Sequence, residues 1–480
     1  MIKKLESLKV VLVYPNTINR EAFPPMGIAY LASYLYSFGV QVKIIDLNFE
    51  PDMIAYRKKL IASKPDVVGF SFTSPLANSA AKCIEICKTE FPDSIIVAGG
   101  PHPSIMPQKT MEKCPVDYVV IGEGELTFHA LLKSIVGECC VSEVAGICYR
   151  SGNDEIIQTK SRNFIENLDE LPQINWGLMP EIKKYLHYSD YSLPVMTSRG
   201  CPGKCSFCQP TVNTLFGRKV RFRSPAKVIQ ELIDLKNANL IKSFLFQDDT
   251  FTLRKSWVRE FCKLAEEKEL NMKWACNSRV DTITEEMLQD MRKVGLNKIA
   301  FGVESGSQRI LDEIMQKGTS IKQIINVFDL CRKYHIPANA FIMLGSPNET
   351  REDIEATIRL LQRIKPNWVS CTRTVLLPHT YMFDYANEEK LSLLDDTYLD
   401  NLHYADFKSA THHINFSDDE MRQLKNKLYR KWAIATINER TILKLGLIFL
   451  TFLGTVSPFL ARVVGKSLSK VIWVPPPTYS

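Results

Sequence analysis

The 480-residue sequence has no internal repeat, no low-complexity tract and no secretion signal. Missing repeats exclude a solenoid or a propeller. The N-terminus, MIKKLESLKVVLVYPN, runs from a lysine pair straight into a strand, without a signal-peptide apolar core or a cleavage site. Thirteen cysteines in such a chain read as free thiols in a reducing cytoplasm, not as a disulfide framework. The dinucleotide fingerprint G-x-G-x-x-G is absent after the first strand, so NAD is not expected. Net charge is only +7, and residues 421–480 hold ten Lys or Arg against one acid, Glu439. That local excess is larger than the whole-chain value, so the remainder is close to neutral and no nucleic-acid partner is expected. An apolar content of 45% and this length suit a globular protein of two or three domains.

What is present is concentrated in residues 196–210, MTSRGCPGKCSFCQP, where Cys201, Cys205 and Cys208 lie close together. Three thiolates at that reach can hold a cubane iron–sulfur cluster and leave one iron without a protein ligand. An iron with an open site can bind a small molecule and act on it, which a closed four-ligand site cannot do. Pro202, Gly203 and Lys204 keep the loop tight and non-helical, so the sulfurs can turn inward. Phe207 is placed to shield such a cluster from water. A structural zinc site is the alternative, but it wants four ligands, usually in two close pairs, and no second pair lies nearby.

Ahead of this loop, short apolar runs alternate with helical patterns. KVVLVYP, VKIIDLN, DVVGFSFTS, SIIVAGGPH and DYVVIGEGE read as strands, with helices expected after residue 25 and at about 51–63 and 76–90. This alternation argues for a doubly wound parallel sheet over residues 1–140, with ligands at the carboxyl ends of its strands. Those ends carry Asn16, Ser71, Thr73, Gly99, Gly100, His102, Gly122, Glu123 and Glu125. Residues 145–160 read as a hairpin inside a connecting region, 141–193, in which 161–193 has no clear period. There Tyr185, Tyr188 and Tyr191 either line a gap between domains or simply pack.

From residue 194 strand–helix units recur. PVMTSRG, SFLFQDDT, MKWACNSR, KIAFGVES, ANAFIMLG and WVSCTRTVLLP give six β/α units, an open three-quarter barrel over 194–380 whose chemistry belongs at the strands' carboxyl ends. Those ends place Gln247, Asp248, Asp249, Asn277, Ser278, Arg279, Glu304, Ser305, Gly345, Ser346 and Pro347 together. A plain ion-pair network at the barrel top is the structural alternative. The segment GRKVRFRSP, with Arg218, Arg221 and Arg223, reads as a solvated face before a helix, with binding of an anionic substrate group as the alternative.

SRGCPGKCSFC fully resembles C-x3-C-x-Φ-C, the signature of radical S-adenosylmethionine (SAM) enzymes, and the resemblance extends over roughly residues 8–380. It implies a [4Fe-4S] cluster on Cys201, Cys205 and Cys208, with SAM's amino and carboxylate groups on the open iron. It also implies reductive cleavage of SAM to methionine and a 5′-deoxyadenosyl radical, with flavodoxin or ferredoxin as electron donor. By position, Gln247 and Asp248 match the segment that meets the SAM amino group, although G-G-E is common there. Glu304, with Ser305, matches the ribose contact, and LGSPNET resembles the segment near adenine. Arg279 could neutralise a carboxylate. GGPHP and GEGE resemble the cobalamin-binding domain that precedes the barrel in one subgroup, with the corrin lying flat on small residues such as Ser71, Thr73, Gly99, Gly100 and Gly122, beside Glu123. The D-x-H-x-x-G motif that gives cobalt a histidine is absent. His102, the only histidine near the predicted cobalamin face, reads as a turn residue between two prolines, with contact to the cobalamin as the alternative. The implied reaction is methyl transfer from cobalamin to an unactivated carbon. A bond-forming, cyclising or rearranging radical reaction and a non-catalytic sensor are the alternatives.

Residues 381–480 are expected to be mostly helical. His412 and His413 are adjacent and would point apart, so they are not read as a metal pair. Seventeen uncharged residues separate Lys444 from Arg462. Flanked by basic residues, they fit a helix lying on an anionic membrane face or a buried helix capping the barrel. The first case favours a lipid or isoprenoid substrate, within basic, apolar residues 441–475.

Overall fold

The computed structural model describes residues 4–18, 20–390 and 415–436. A seven-stranded sheet comes first: β1 (Lys9–Tyr14), β2 (Gln41–Asp46), β3 (Val67–Ser71), β4 (Ile95–Gly99), β5 (Tyr118–Val120), β6 (Ile147–Arg150) and β7 (Ile156–Gln158), in the order β2-β1-β3-β4-β5-β6-β7. The first five strands pair in parallel, and the hairpin β6–β7 adds an antiparallel edge. Helices α1 (Met26–Ser37), α2 (Met53–Ser63), α3 (Ala77–Glu90), α4 (Pro101–Ile105), α5 (Pro107–Lys113) and α6 (Gly124–Ile135) connect them. The central strands β1 and β3 are short apolar runs buried on both faces, as a sheet covered by helices requires. Local signals set the helix ends. The Asp52 side chain accepts from the Ile54 and Ala55 amides at the start of α2.

The region expected to lack a period contains α7 (Ile182–Tyr188), and it fastens the two halves of the chain. The Tyr185 hydroxyl donates to Asp46 Oδ2 at 2.7 Å, at the end of β2, and Tyr185 is fully buried. Tyr188 and Tyr191 are exposed.

The second sheet has six parallel strands: β8 (Ser192–Val195), then, beyond the small antiparallel pair β9 (Ser198–Arg199) and β10 (Arg221–Phe222), β11 (Ser243–Phe246), β12 (Lys273–Ser278), β13 (Leu296–Glu304), β14 (Ala338–Leu344) and β15 (Trp368–Arg373). Their order, β15-β14-β13-β12-β11-β8, is sequential, as in an open barrel. Helices α8 (Thr211–Phe216), α9 (Pro225–Asn237), α10 (Lys255–Glu267), α11 (Glu285–Lys293), α12 (Ile321–Lys333) and α13 (Arg351–Ile364) follow the strands, with α14 (Tyr381–Glu388) and α15 (Asp418–Thr436) after them. Capping boxes at Ser320–Gln323 and Thr350–Asp353 start α12 and α13. Phe244, Phe246 and Trp274 pack with Phe251, Trp257 and Phe261 on the helix side of β11 and β12. Among the described residues no helix is long and apolar enough to cross a membrane. His412, His413 and residues 441–475 lie outside the described residues.

Candidate active site

The cysteine loop leaves β9 and is pinned on several sides. The Cys201 amide donates to Gly217 O at 3.3 Å, and the Ser206 amide to Met315 O at 2.9 Å. The Ser206 hydroxyl donates to Ile314 O, and the Met382 amide at the start of α14 donates to Ser206 O. Backbone held this way fixes where the sulfurs go. Cys201 Sγ and Cys205 Sγ stand 3.3 and 3.9 Å from the point that a side chain on Gly203 would fill, so the two sulfurs close around that glycine. Burial raises the Cys208 thiol pKa, and Asp249, Cys205 and Cys201 add to the effect. Burial, Asp249 and Cys205 also raise that of Cys201. Crowded thiols that resist ionising alone are relieved when a cationic metal centre takes them as thiolates. The donor set therefore fits a cluster bound through three cysteines.

Two cations attend the loop. The Arg279 guanidinium lies 3.5 Å from Cys205 Sγ, pairs with Asp281 at 2.8 Å, and donates to Lys317 O at 2.7 Å. Lys317 is buried, with its ammonium 2.9 Å from Glu304 Oε1 and 5.7 Å from the centre of the Phe207 ring. Glu304 closes β13 in the left-handed region, φ +61°, a strained setting for a non-glycine residue. Sequence reasoning missed Lys317, which stands thirteen residues after Glu304 in IMQKGTS. In that polar turn, beside Gln316, Gly318 and Thr319, a lysine carries no local signal.

At the carboxyl end of β11, two acceptors have no partner. Gln247 Oε1 and Asp248 Oδ2 are buried and unbonded. Asp248 Oδ1 accepts from the amides and hydroxyls of Thr197 and Ser198. Burial raises its pKa to about 6, against the lowering from those bonds. Buried orphan acceptors at a barrel mouth fit an amino-bearing ligand. Ser305 is placed differently. It is fully buried, accepts from the Ser307 amide at 3.2 Å and lies 3.4 Å from Thr357 Oγ1, beneath the site. In LGSPNET, Glu349 Oε2 accepts from the Gly345 and Ser346 amides while Oε1 is unbonded. Burial raises the Glu349 pKa to about 8.

On the first sheet, Ser71, Thr73, Gly99 and Gly100 are half-buried at adjacent strand ends. Gly100 has φ +88°, and a side chain there would come within 2.7 Å of Ser71 Oγ and 3.0 Å of the Phe72 amide, so only glycine fits. This small-residue ledge fits a flat ligand resting close to the backbone. His102 is not a turn residue. It sits in the first turn of α4, buried, with Nδ1 3.1 Å from Ser74 Oγ, and burial lowers its pKa to about 4. The Gly122 amide donates to Ser104 Oγ at 2.9 Å, and the chain at Thr214–Leu215 covers it.

Glu123 turns away from the ledge into a buried charge cluster that joins the two sheets. Arg199 pairs with Glu123 at 3.0 Å and Glu125 at 2.6 Å, Arg221 with Glu123 at 2.9 Å, and Arg223 with Glu231 at 2.5 Å. The reading of GRKVRFRSP as a solvated face is therefore corrected for Arg221 and Arg223, which are 4% and 5% exposed. Arg221's partner Glu123 lies 98 residues away, too far for a local pattern to reveal, while Arg223 reaches Glu231 on the helix that follows it. Arg218 is exposed.

Comparison with known proteins matches a model of the Radical SAM superfamily to residues 195–361 and one of the B12 binding domain to residues 20–132. An uncharacterised methyltransferase of Pyrococcus horikoshii is 34% identical over 81% of this chain and 85% of its own. The anaerobic magnesium-protoporphyrin IX monomethyl ester cyclase of Rubrivivax gelatinosus is 30% identical over 76% of this chain and 68% of its own. Among solved structures, the radical S-adenosylmethionine methyltransferase TsrM from Kitasatospora setae has a TM-score of 0.70 at 17% identity, over 81% of this chain and 79% of that one. That likeness establishes a shared fold.

Proposed function

The chain belongs to the cobalamin-dependent radical SAM enzymes, and from that membership we propose that it transfers a methyl group to an unactivated carbon of a small-molecule or lipid substrate. When bound, the [4Fe-4S] cluster and SAM supply hydrogen abstraction, and cobalamin supplies a methyl group that a non-nucleophilic carbon cannot take from SAM directly. Cys201, Cys205 and Cys208 hold the cluster. Gln247 Oε1 and Asp248 Oδ2 accept from the SAM amino group. Lys317 and Arg279 offer cations to its carboxylate, and Glu304 accepts from ribose hydroxyls. Phe207 keeps water from the cluster. Ser71, Thr73, Gly99 and Gly100 would carry the corrin, beside His102, whose Nδ1 is engaged by Ser74 Oγ. Glu123 and Ser305 act instead as supports, one joining the domains and one bracing the barrel floor. An acidic one-electron carrier of the flavodoxin or ferredoxin type is the electron donor, and the basic C-terminal segment is a peripheral membrane contact.

The observation that carries this reading is the convergence of three thiols, two cations and two unbonded acceptors at one end of one barrel. A second reading, ring or C–C bond formation without net methylation, draws on the cyclase relative. Anaerobic reconstitution with iron, sulfide and cobalamin, followed by mass spectrometry of lipid extracts from expressing cells, tests both. A methyl added per turnover supports the first, and a product of unchanged carbon count supports the second. A sensor would release no 5′-deoxyadenosine on reduction.

A further inference from the structure

Neighbouring residues on a barrel strand face alternately the helices and the lumen. Phe244, Phe246 and Trp274 face the helices, so Leu245 and Ala275, paired in register, face the lumen. Phe301 packs on Phe328 of α12, so Ala300 and Gly302 face inward too, and register carries that face to Phe341 on β14 and Ser370 on β15, with Met343 and Thr372 above them. The lumen is filled unevenly. On β14 and β15 the inward Phe341, Met343, Ser370 and Thr372 are half-buried, whereas their outward neighbours Ile342, Val369 and Cys371 are buried. The inward side chains of the β14–β15 half therefore remain partly accessible. The β11–β12 half is occupied by a different part of the chain. Ala22 and Phe23, from the loop between β1 and α1 of the first domain, pack on Leu245 and Ala275 in an apolar cluster separate from the main core.

That loop is braced. The Asn48 side chain accepts from the Glu21 amide at 2.7 Å and donates to Glu21 O at 3.0 Å, and the Tyr14 hydroxyl donates to Glu21 Oε1 at 2.8 Å. Pro24 and Pro25 follow Phe23 and stiffen the return into α1. A phenyl ring held by a fixed loop, opposite half-buried inner positions, has the placement of a cavity wall.

We propose that Phe23, delivered by the cobalamin-binding domain, is a specificity wall of the substrate cavity, and that the cavity between Phe23 and Phe341 takes an apolar, uncharged chain or ring. Inward positions above the lowest layer, where Lys298 pairs with Ala275, supply the carboxamides of Asn277 and Asn339 and then phenyl, thioether, methyl and hydroxyl groups up to Glu304. The inference rests on the reading that SAM binds at the carboxyl ends of these strands, and it adds a determinant from outside the barrel.

The test uses perdeuterated linear alcohols, 1-butanol to 1-decanol, with the reconstituted full-length enzyme, SAM and dithionite. An adenosyl radical that takes deuterium from a bound alcohol gives labelled 5′-deoxyadenosine, so the labelled fraction reports which chain lengths reach the lumen. The wild type should show a length limit. Phe23→Leu and Phe23→Ala should shift the limit to longer chains, in that order, and Phe341→Ala should lengthen it from the opposite wall. Identical limits in wild type, F23L and F23A overturn the proposal, as does absence of label with every alcohol while unlabelled 5′-deoxyadenosine forms. Absence of all 5′-deoxyadenosine from the wild type refutes the proposed function itself, and this inference with it.

Discussion

Arg199→Met is the sharpest probe of how the two domains are joined. Both Glu125 carboxylate oxygens accept from Arg199, at 2.6 and 3.3 Å, and both residues are under 10% exposed. Burial pushes the Glu125 carboxyl up, but the charge and hydrogen bonds of Arg199 outweigh it and hold the pKa below the ordinary value. Removing the arginine leaves a buried carboxylate without its counter-charge, which costs about 3–5 kcal/mol. Replacing the whole pair by apolar residues, as in Arg199→Met/Glu125→Leu, removes that stranded charge along with the bond. The double variant should therefore regain about 2 kcal/mol or more over the single one. Urea denaturation of wild type, R199M, E125L and the double variant, followed by tryptophan fluorescence, gives the cycle. If the two substitutions add, with no coupling between them, the ion pair does not hold the interface and the reasoning is wrong.

Other expectations follow from single groups. Cys201→Ala, Cys205→Ala or Cys208→Ala should each abolish the cluster's visible absorbance and the iron content of the reconstituted protein. Lys317→Met should weaken SAM binding about tenfold or more, since one lost charge-assisted bond is worth roughly 1.5–3 kcal/mol, as read by anaerobic equilibrium dialysis. Burial raises the Glu349 pKa to about 8 in the fold, whereas unfolded it ionises near the ordinary carboxyl value of 4.5. In that window the native state holds the extra proton, so this group's contribution to stability is present below pH 4.5 and is lost as pH rises toward 8. The loss is on the order of a few kcal/mol, and Glu349→Gln should remove this slope from melting temperatures measured between pH 5 and 8. At Gly306 a methyl group would come within 2.4 Å of Thr357 Cα and 2.5 Å of Ala356 O, both backbone atoms of α13. Gly306→Ala should cost at least about 1–3 kcal/mol in the same denaturation assay.

The fold was legible because its signals are local. Most strands of the two large sheets are short apolar runs, and the barrel helices α9–α13 are amphipathic, with the Asp52, Ser320 and Thr350 caps starting three helices. The cysteine site was legible for the same reason, since its three sulfurs arrive on one tight loop. Long-range partners were not. Arg221 reads as solvated next to Arg218 and Arg223, yet its carboxylate partner Glu123 lies 98 residues away. Glu123 read as a ligand contact because it ends a strand, and nothing local shows that two arginines claim it. Lys317 was hidden because its distance from Glu304 is set by the turn after β13. Phe23 was hidden because the loop between β1 and α1 of one domain carries no mark that it reaches into another.

The most direct test of the central claim is the fate of SAM on the reduced, reconstituted protein under strict anaerobiosis. Chromatography with mass detection should show 5′-deoxyadenosine and methionine forming in the wild type and absent from the Cys208→Ala variant. A wild type that carries its cluster, binds SAM and still releases no 5′-deoxyadenosine would contradict the account.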